Sequence, residues 1–265
     1  MSVLSAFVES LFFSTDSRSY WQPGHYGLKG AGFKTTNASG HQIDGMVLQP
    51  REGTEPLGTV LFFHAAQFNR QFNLPQVVFL ALAGYRVVLF DYSGCGLSTG
   101  KTTLDGLGED AEAVLQWMDA SEAPAARVVL FGEGVGCDAA LQFYEAHPDR
   151  VRGLLLESPY ASRRGWAKDR WGPVLGDLAA RLLRYGATEP AAVLSQVKVP
   201  VVLIYPARDT FVHRAQRQAM LSAAPRQTTV WEVPKARFLG IFAGPQGEWH
   251  QAVLKWLKKL SSKNG

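Results

Sequence analysis

Residues 128–141 constrain the fold of this chain more than any other segment of its sequence. They begin with the apolar run Val-Val-Leu-Phe, continue through Gly-Glu-Gly-Val-Gly and end in Cys-Asp-Ala-Ala-Leu. The three parts follow one another without a spacer, which predicts a buried strand, a tight turn and a helix. A helix that begins directly after such a turn carries unpaired backbone N–H groups at its start, and these groups can stabilise an anion.

Apolar strand segments and helical segments alternate along most of the chain. The predicted strands comprise residues 33–36, 42–48, 58–63, 85–90, 127–131, 151–156, 199–205 and 228–233. The first two are expected to form an antiparallel pair, and those at 58–63 and 85–90 are apolar enough to be buried on both faces of a sheet. Helical patterns occupy residues 74–83, 107–118, 215–223 and 249–260. This alternation predicts an α/β fold with a mostly parallel central sheet and helices on both faces.

Length and composition exclude several classes of protein. The chain has 265 residues, 46% of them hydrophobic, and it lacks the run of about 18 apolar residues that a membrane span requires. A formal net charge of +4 is too small to indicate a nucleic-acid partner. Its two cysteines, Cys95 and Cys137, do not make a disulfide framework, so a cytoplasmic location is expected.

The sequence also predicts how the chain is divided. Residues 1–31 form an N-terminal helix and lead-in, residues 32–159 and 197–261 the core, residues 160–196 a helical lid, and residues 262–265 a flexible tail. The N-terminal helix is expected to pack on the body through Leu4, Phe7, Val8 and Leu11, with a membrane-surface anchor as the alternative. The lid carries basic and aromatic residues that are expected to face solvent: Arg163, Arg164, Trp166, Lys168, Arg170 and Trp171.

Five motifs with a common order support a more specific identification. They are Leu-Phe-Phe-His at 61–64, Phe-Asp-Tyr-Ser-Gly-Cys-Gly-Leu-Ser at 90–98, the glycine turn at 132–136, the strand ending in Asp209, and Val-Pro-Lys-Ala-Arg-Phe at 233–238. With these motifs the chain resembles the α/β-hydrolase fold, in the branch of small esterases and serine aminopeptidases. The resemblance implies a serine nucleophile on the turn, which we call the elbow, followed along the chain by an acid and a histidine.

The chain departs from that family at two of the three catalytic positions. Gly134 stands at the nucleophile position and Phe238 at the position of the histidine, while Asp209 keeps the acid. A glycine has no side chain that can attack a substrate, and a phenylalanine cannot accept a proton. The sequence therefore predicts that the protein is not a working serine hydrolase and that Phe238 fills the space of the lost histidine.

The resemblance implies an oxyanion loop at Ala65 and Ala66, with the amide of Val135 as the second donor. Ala65 stands where the family has glycine, and alanine disfavours a positive φ. Without the serine side chain, we expect room for an anion in front of the helix that begins here. The sequence thus predicts an anion-binding elbow in place of a catalytic one.

Three arginines are expected on the loops above the carboxyl ends of the strands, where this architecture binds ligands. They are Arg70, Arg208 and Arg237, and each is a possible ligand contact. Because a buried carboxylate needs a partner, we expect Asp209 to pair with Arg208 or Arg237.

Other residues offer alternative chemistry. A displaced nucleophile or base would come from Cys95, Cys137, Ser93, His64, His213 or His250. The spacing Gly132-x-Gly134-x-x-Cys137, with Glu157 at the end of the next strand, also resembles a dinucleotide-binding fingerprint.

The favoured prediction is a catalytically inactive protein without cofactor or metal that binds a small ligand, an anion included, or a protein partner through the former active-site pocket. The alternative is an ester or amide hydrolase with a non-standard nucleophile.

Overall fold

The computed structural model of the protein describes Glu9 and residues 12–50, 55–121, 126–182 and 186–262. The predicted N-terminal helix formed by Leu4, Phe7, Val8 and Leu11 and the end of the predicted tail, residues 263–265, lie outside these described residues. No helix within the described ranges is both long enough and apolar enough to cross a membrane.

Strands make up a large sheet and one short ribbon. The eight strands of the large sheet are β2 (Gly30–Thr36), β3 (Gln42–Leu48), β4 (Thr59–Phe63), β6 (Arg86–Phe90), β7 (Val128–Glu133), β8 (Val151–Glu157), β9 (Val201–Arg208) and β10 (Thr229–Arg237). The ribbon pairs β1 (Ser14–Thr15) with β5 (Gln67–Phe68). All eight predicted strands are thereby confirmed, with ends that move by a few residues.

The large sheet has the strand order β10-β9-β8-β7-β4-β6-β3-β2. The six strands from β10 to β6 in this order are parallel to one another. At the other end of the sheet, β3 pairs antiparallel with both β6 and β2. Every residue of β4 is buried, as expected for a central strand that is covered on both faces. The predicted mostly parallel sheet with a leading antiparallel pair is therefore confirmed.

Helices cover both faces of this sheet. They are α1 (Arg70–Asn73), α2 (Val78–Leu82), α3 (Gly106–Ala120), α4 (Val135–Ala146), α5 (Arg163–Leu182), α6 (Pro190–Ser195), α7 (Arg214–Ala223) and α8 (Glu248–Ser262). Buried side chains of α3, α4, α6 and α7 pack on one face of the sheet, and those of α2 and α8 pack on the other. The helix α5 follows β8 and changes direction at Gly172, which has φ 79° and is not helical. The fold is that of an α/β hydrolase.

Candidate functional site at the carboxyl ends of the central strands

The elbow keeps the backbone geometry of a nucleophile turn. Gly134 lies between β7 and α4 with φ 56° and ψ −115°, a conformation that glycine adopts most readily. Its N–H donates a hydrogen bond of 2.9 Å to the carbonyl of Glu157. A side chain at Gly136 would collide with the carbonyl oxygen of Phe63, so the start of α4 lies directly against the end of β4. The turn is therefore intact although it carries no nucleophile.

Two phenylalanine rings fill the space in front of the elbow. A Cβ atom at Gly134 would lie 2.8 Å from Cζ of Phe238 and 3.1 Å from Cε1 of Phe211. The two rings stack with centroids 4.6 Å apart and an interplanar angle of 9°. We call Phe211 and Phe238 the aromatic plug. The plug occupies the room that the sequence had predicted for an anion, so the expectation of an open anion site here was wrong.

Further aromatic residues support the plug from the segment that follows β8. The ring of Trp166 lies 5.2 Å from that of Phe211, and its Nε1–H donates a hydrogen bond of 2.9 Å to the Phe211 carbonyl. Phe12 lies 4.3 Å from Trp166 on another side. Trp166 is buried, and so is Arg163. The prediction that this basic and aromatic cluster faces solvent is wrong for these two residues, because they pack into the interior.

Asp209 lies beside the plug and is held by backbone groups. Its Oδ1 accepts hydrogen bonds from the N–H groups of Phe211 (2.7 Å) and Val212 (3.1 Å), whereas its Oδ2 is buried without a partner in the described chain. Arg208 and Arg237 are opposite each other in the register of β9 and β10, both side chains are exposed, and neither forms an ion pair with Asp209. The expected pairing was wrong because the turn after β9 supplies the donors itself.

The loop after β4 lies where the resemblance places an oxyanion loop. Ala65 is fully buried, and its carbonyl oxygen lies 2.6 Å from Nδ1 of His64. The carbonyl of Ala66 accepts a hydrogen bond from the N–H of Ser14. The positive φ of this loop, 58°, belongs to Phe68 and not to Ala65. Val135, whose amide is the expected second donor, is fully buried.

Arg70 does not face the elbow. The residue is 5% exposed, and its guanidinium forms ion pairs with Asp44 and Asp91. Its backbone N–H also donates to the Asp91 carboxylate, at 2.6 Å. The interpretation of Arg70 as a ligand contact was wrong, because its guanidinium joins the start of α1 to Asp44 of β3 and to Asp91, directly after β6.

The alternative nucleophiles have structural partners. The Cys137 thiol donates to the carbonyls of Gly132 and Glu157, each at 3.2 Å, and burial raises its pKa well above the ordinary range. Burial raises the pKa of Cys95 to about 12, although a hydrogen bond with Thr102 opposes the rise. Thiols with raised pKa values are poor nucleophiles because the thiolate is the reacting form. The hydroxyl of Ser93 donates to Asp110 at 2.7 Å, and Ser93 therefore orders its loop.

The alternative bases are also placed away from the elbow or occupied. His64 is buried, and desolvation lowers its pKa. His250 is 2% exposed, contacts the rings of Phe79 and Phe242, and has a pKa lowered by burial. His213 is exposed and precedes the first turn of α7. None of the three takes the place of Phe238 beside Gly134.

A pair of buried carboxyl groups underlies the elbow and was missed by the sequence analysis. Glu133 and Glu157 occupy the last positions of β7 and β8, are directly opposite each other in the register, and are fully buried. Among the described residues, no oxygen of either carboxyl has a hydrogen-bond partner that satisfies normal geometry. Burial raises the pKa of Glu133 well above the ordinary range, and Glu157 adds to the rise. Burial also raises the pKa of Glu157, an effect that the N–H of Leu239 partly offsets and Asp209 reinforces.

This pair predicts a loss of stability as the pH rises. An unfolded glutamate has a pKa of about 4.3, whereas both folded groups hold their protons to higher pH. The folded state therefore binds more protons, and its stability falls from about pH 5 upward through the raised folded pKa values. We expect Glu133→Gln, which cannot ionise, to raise the free energy of unfolding by ~1–3 kcal/mol near pH 8 and by much less near pH 5.

Urea unfolding at the two pH values measures this difference. The matched control is Glu145→Gln, which changes an exposed glutamate of α4 and is expected to leave the pH dependence unchanged. A Glu133→Gln variant that is destabilised equally at both pH values would contradict the assignment of the pair as proton-binding groups.

The dinucleotide interpretation does not fit the geometry. The plug fills the space in front of Gly134 that a pyrophosphate would need, and Glu157 is 0% exposed, so its carboxyl cannot reach a ribose. Within the described ranges, no three His, Cys, Asp or Glu side chains are placed together to hold a metal ion.

An open cleft of about 440 Å³ adjoins Asp209 on the side of β10 and α7. Its polar lining includes Asp209, Arg214, Arg217 and Glu232. Arg217 lies over the ring of Tyr205, 4.8 Å from its centroid, and pairs with Glu232 at 2.9 Å. We call this space the Asp209 cleft. It gives the site room for a polar molecule that the elbow itself does not have.

Comparison with solved structures supports the fold. An esterase from Pyrococcus furiosus superposes with a TM-score of 0.72 at 19% identity, covering 93% of this chain and 99% of that one. An esterase from Thermogutta terrifontis, solved with malate bound, gives a TM-score of 0.65 at 20% identity, with coverage of 87% and 99%. At these identities the similarity concerns the fold alone.

Curated relatives are more similar in sequence over shorter segments. Protein bem46 of Schizosaccharomyces pombe is 29% identical over 122 residues, which are 45% of this chain and 41% of that protein. An uncharacterized protein of Mycobacterium tuberculosis is 30% identical over 171 residues, 63% of this chain and 57% of that protein. The chain spans about half the length of these curated relatives. The family described as serine aminopeptidase, S33, matches residues 54–193, more than half of the chain, and the protein belongs to that family.

Proposed function

We propose that this protein is a catalytically inactive member of its family, which binds a small ligand or a protein partner at the surface around the former active site. One observation carries the proposal: the nucleophile position is a glycine in front of which Phe238 and Phe211 leave no room. A Cβ atom at Gly134 would already lie 2.8 Å from the Phe238 ring. The proposal is supported by the lack of a nucleophile at residue 134 and of a base at residue 238, and by the two rings that stand where a substrate would approach Gly134.

The charges around Asp209 indicate what kind of ligand would fit. The Asp209 cleft is lined by two carboxylates, Asp209 and Glu232, and by two guanidinium groups, Arg214 and Arg217. Arg217 and Glu232 satisfy each other, whereas Oδ2 of Asp209 has no partner in the described chain. This mixed lining of carboxylates and guanidinium groups favours a polar ligand with donors and acceptors over a simple anion.

The altered-hydrolase alternative has less support. Cys137 and Cys95 have raised pKa values, and Ser93 is bonded to Asp110. Ser158, at the end of β8, has the unusual φ of 54° for a serine, but its side chain is fully buried. The two buried free thiols, Cys95 and Cys137, suit the reducing cytoplasm that we propose as the location of the protein.

We expect the purified protein to resist labelling by a fluorophosphonate, because the reagent requires a serine activated by a base. We also expect it to hydrolyse short aryl esters no faster than a heat-denatured sample, since loss of the serine and histidine removes many powers of ten in rate. Mass spectrometry of the treated protein and an absorbance assay measure the two quantities.

An active serine hydrolase in the same reaction shows that the reagent works. Labelling of any serine, or ester turnover that copurifies with the protein through several columns, would overturn the proposal and favour the altered hydrolase.

A further inference from the structure

A second cavity lies at the amino ends of the parallel strands, on the side of the sheet opposite to the elbow. Its volume is about 370 Å³, and its lining includes Arg86, Arg127 and Arg152. Arg86 is the first residue of β6, Arg127 precedes β7, and Arg152 is the second residue of β8. Because β6, β4, β7 and β8 are parallel neighbours, their first residues meet at one edge of the sheet. The fold thus places three arginines along the lining of this cavity, which we call the arginine groove. Nε of Arg86 also donates to Oε1 of Gln49 at 3.5 Å.

Arg152 stands at an irregularity of the ladder. Val128 is opposite Val151 and Val129 is opposite Gly153, so Arg152 is an extra residue without a partner on β7. Such a β-bulge redirects the side chain of the extra residue. Nε of Arg152 is buried from solvent and has no hydrogen-bond partner within the described ranges. A buried N–H without an acceptor costs free energy, so this part of Arg152 adds no stabilising hydrogen bond to the fold.

The charges of the groove define the acceptor. Among the described lining residues, the charged ones are Arg86, Arg127, Arg152 and Glu55, which together carry a formal charge of +2. Nη2 of Arg127 donates to the Val151 carbonyl at 2.7 Å, which holds this guanidinium beside the first residue of β8. A phosphate monoester carries about −1.5 to −2 charges near pH 7 and offers three oxygens to guanidinium forks. We propose that the arginine groove binds a phosphate monoester.

The other residues that line the groove indicate which substituent the phosphate monoester carries. Apolar and aromatic side chains line the groove next to the arginines, namely Leu57, Tyr85, Val129, Leu257 and Leu260. Burial of apolar ligand atoms against them contributes affinity in proportion to the area removed from water. The monoester therefore carries an apolar or aromatic substituent. This site is independent of the proposed function, because it lies at the edge of the sheet away from Gly134.

Phenyl phosphate is the probe, titrated by calorimetry onto the full chain. Arg152→Gln is expected to weaken its binding by about tenfold to hundredfold, the equivalent of one or two charge-assisted hydrogen bonds. The matched control Arg170→Gln changes an exposed arginine of α5 and is expected to bind as the unaltered protein does. Inorganic phosphate is expected to bind about tenfold more weakly than phenyl phosphate, since it cannot use the apolar walls.

Stability measurements separate lost binding from misfolding. Because Nε of Arg152 has no partner, Arg152→Gln is expected to keep or raise the melting temperature of the protein without ligand. Arg127→Lys keeps the charge but loses the fork, and we expect it to weaken binding as well. The proposal is overturned if phenyl phosphate does not bind at millimolar concentration, if it binds no more tightly than inorganic phosphate, or if Arg152→Gln binds it as tightly as the unaltered protein.

Discussion

Replacing Arg163 with methionine is expected to lower the free energy of unfolding by about 3–5 kcal/mol. Arg163 is fully buried at the start of α5, and its Nε and Nη2 donate to the two carboxylate oxygens of Asp138 at 2.7 and 2.5 Å. Without the cation, the Asp138 carboxylate stays in the interior with two other donors in the described part of the chain, the Tyr160 hydroxyl and the Gln142 amide. An uncompensated buried charge is among the most destabilising changes that a single substitution makes.

Chemical denaturation of three variants tests this expectation. The double variant Arg163→Met/Asp138→Leu removes both charges, and it is expected to recover much of the loss. The control Lys168→Met breaks the exposed pair Lys168–Asp177 on the same helix and is expected to cost at most about 1 kcal/mol. A loss in Arg163→Met no larger than in Lys168→Met would show that the buried pair contributes little.

This ion pair also links the helix over the sheet to the elbow. Arg163 donates through Nη1 to the carbonyls of Ala187 and Thr188, so it ties both ends of the segment after β8 to helix α4. Three residues later, Trp166 contacts the plug through Phe211. The segment that we propose as a lid is therefore fixed on the core by a buried charge at its base, and the plug is fixed in turn by the lid.

The sheet could be predicted from the sequence because a strand buried on both faces consists mainly of consecutive apolar residues. The predictions stopped short at the carboxyl ends of β7 and β8, where the apolar runs give way to Glu133 and Glu157, although backbone pairing continues through both residues. Carboxyl groups are rarely buried without a partner. A glutamate after an apolar run therefore predicts that the buried strand has ended. The signal that was available is that both glutamates end neighbouring strands, where side chains from different segments meet.

The positions of the site could be predicted because they follow the chain order of the family, whereas the contacts between side chains could not. Gly134 and Phe238 do lie side by side, as the resemblance implies. The third participant, Phe211, follows Asp209 in a turn whose conformation depends on the Asp209 carboxylate. Arg70 was misjudged because Asp44 and Asp91 lie far from it in sequence, and periodicity carries no information about partners across strands.

The double variant Gly134→Ser/Phe238→His is expected to gain reactivity with a fluorophosphonate. It would place a serine on an intact elbow and a histidine beside it, and Oδ2 of Asp209 is free of partners in the described chain and available to orient that histidine. A general base contributes about a hundredfold to ten-thousandfold to such a reaction, so the rate of labelling measured by mass spectrometry is expected to rise at least about a hundredfold over the unaltered protein.

Each single change is expected to leave the protein unreactive, for different reasons. Gly134→Ser alone introduces a Cβ atom 2.8 Å from the Phe238 ring, which is expected to cost ~1–3 kcal/mol of stability through overpacking and to leave the serine without a base. Phe238→His alone supplies a base without a nucleophile. Labelling of Phe238→His would reveal a nucleophile other than residue 134 and would end the proposal that the natural protein is inactive.

The remaining ring of the plug decides how far the restored site can work. Phe211 would still lie 3.1 Å from the new Cβ atom, in the space that the reagent must enter. Adding Phe211→Ala to the double variant is therefore expected to speed labelling further, whereas adding Asp209→Asn is expected to slow it by removing the acid. If the triple variant with Phe211→Ala folds and still fails to react, the loop at Ala65 lacks the oxyanion donor. The loss of catalysis would then extend beyond the two replaced residues to the backbone around them.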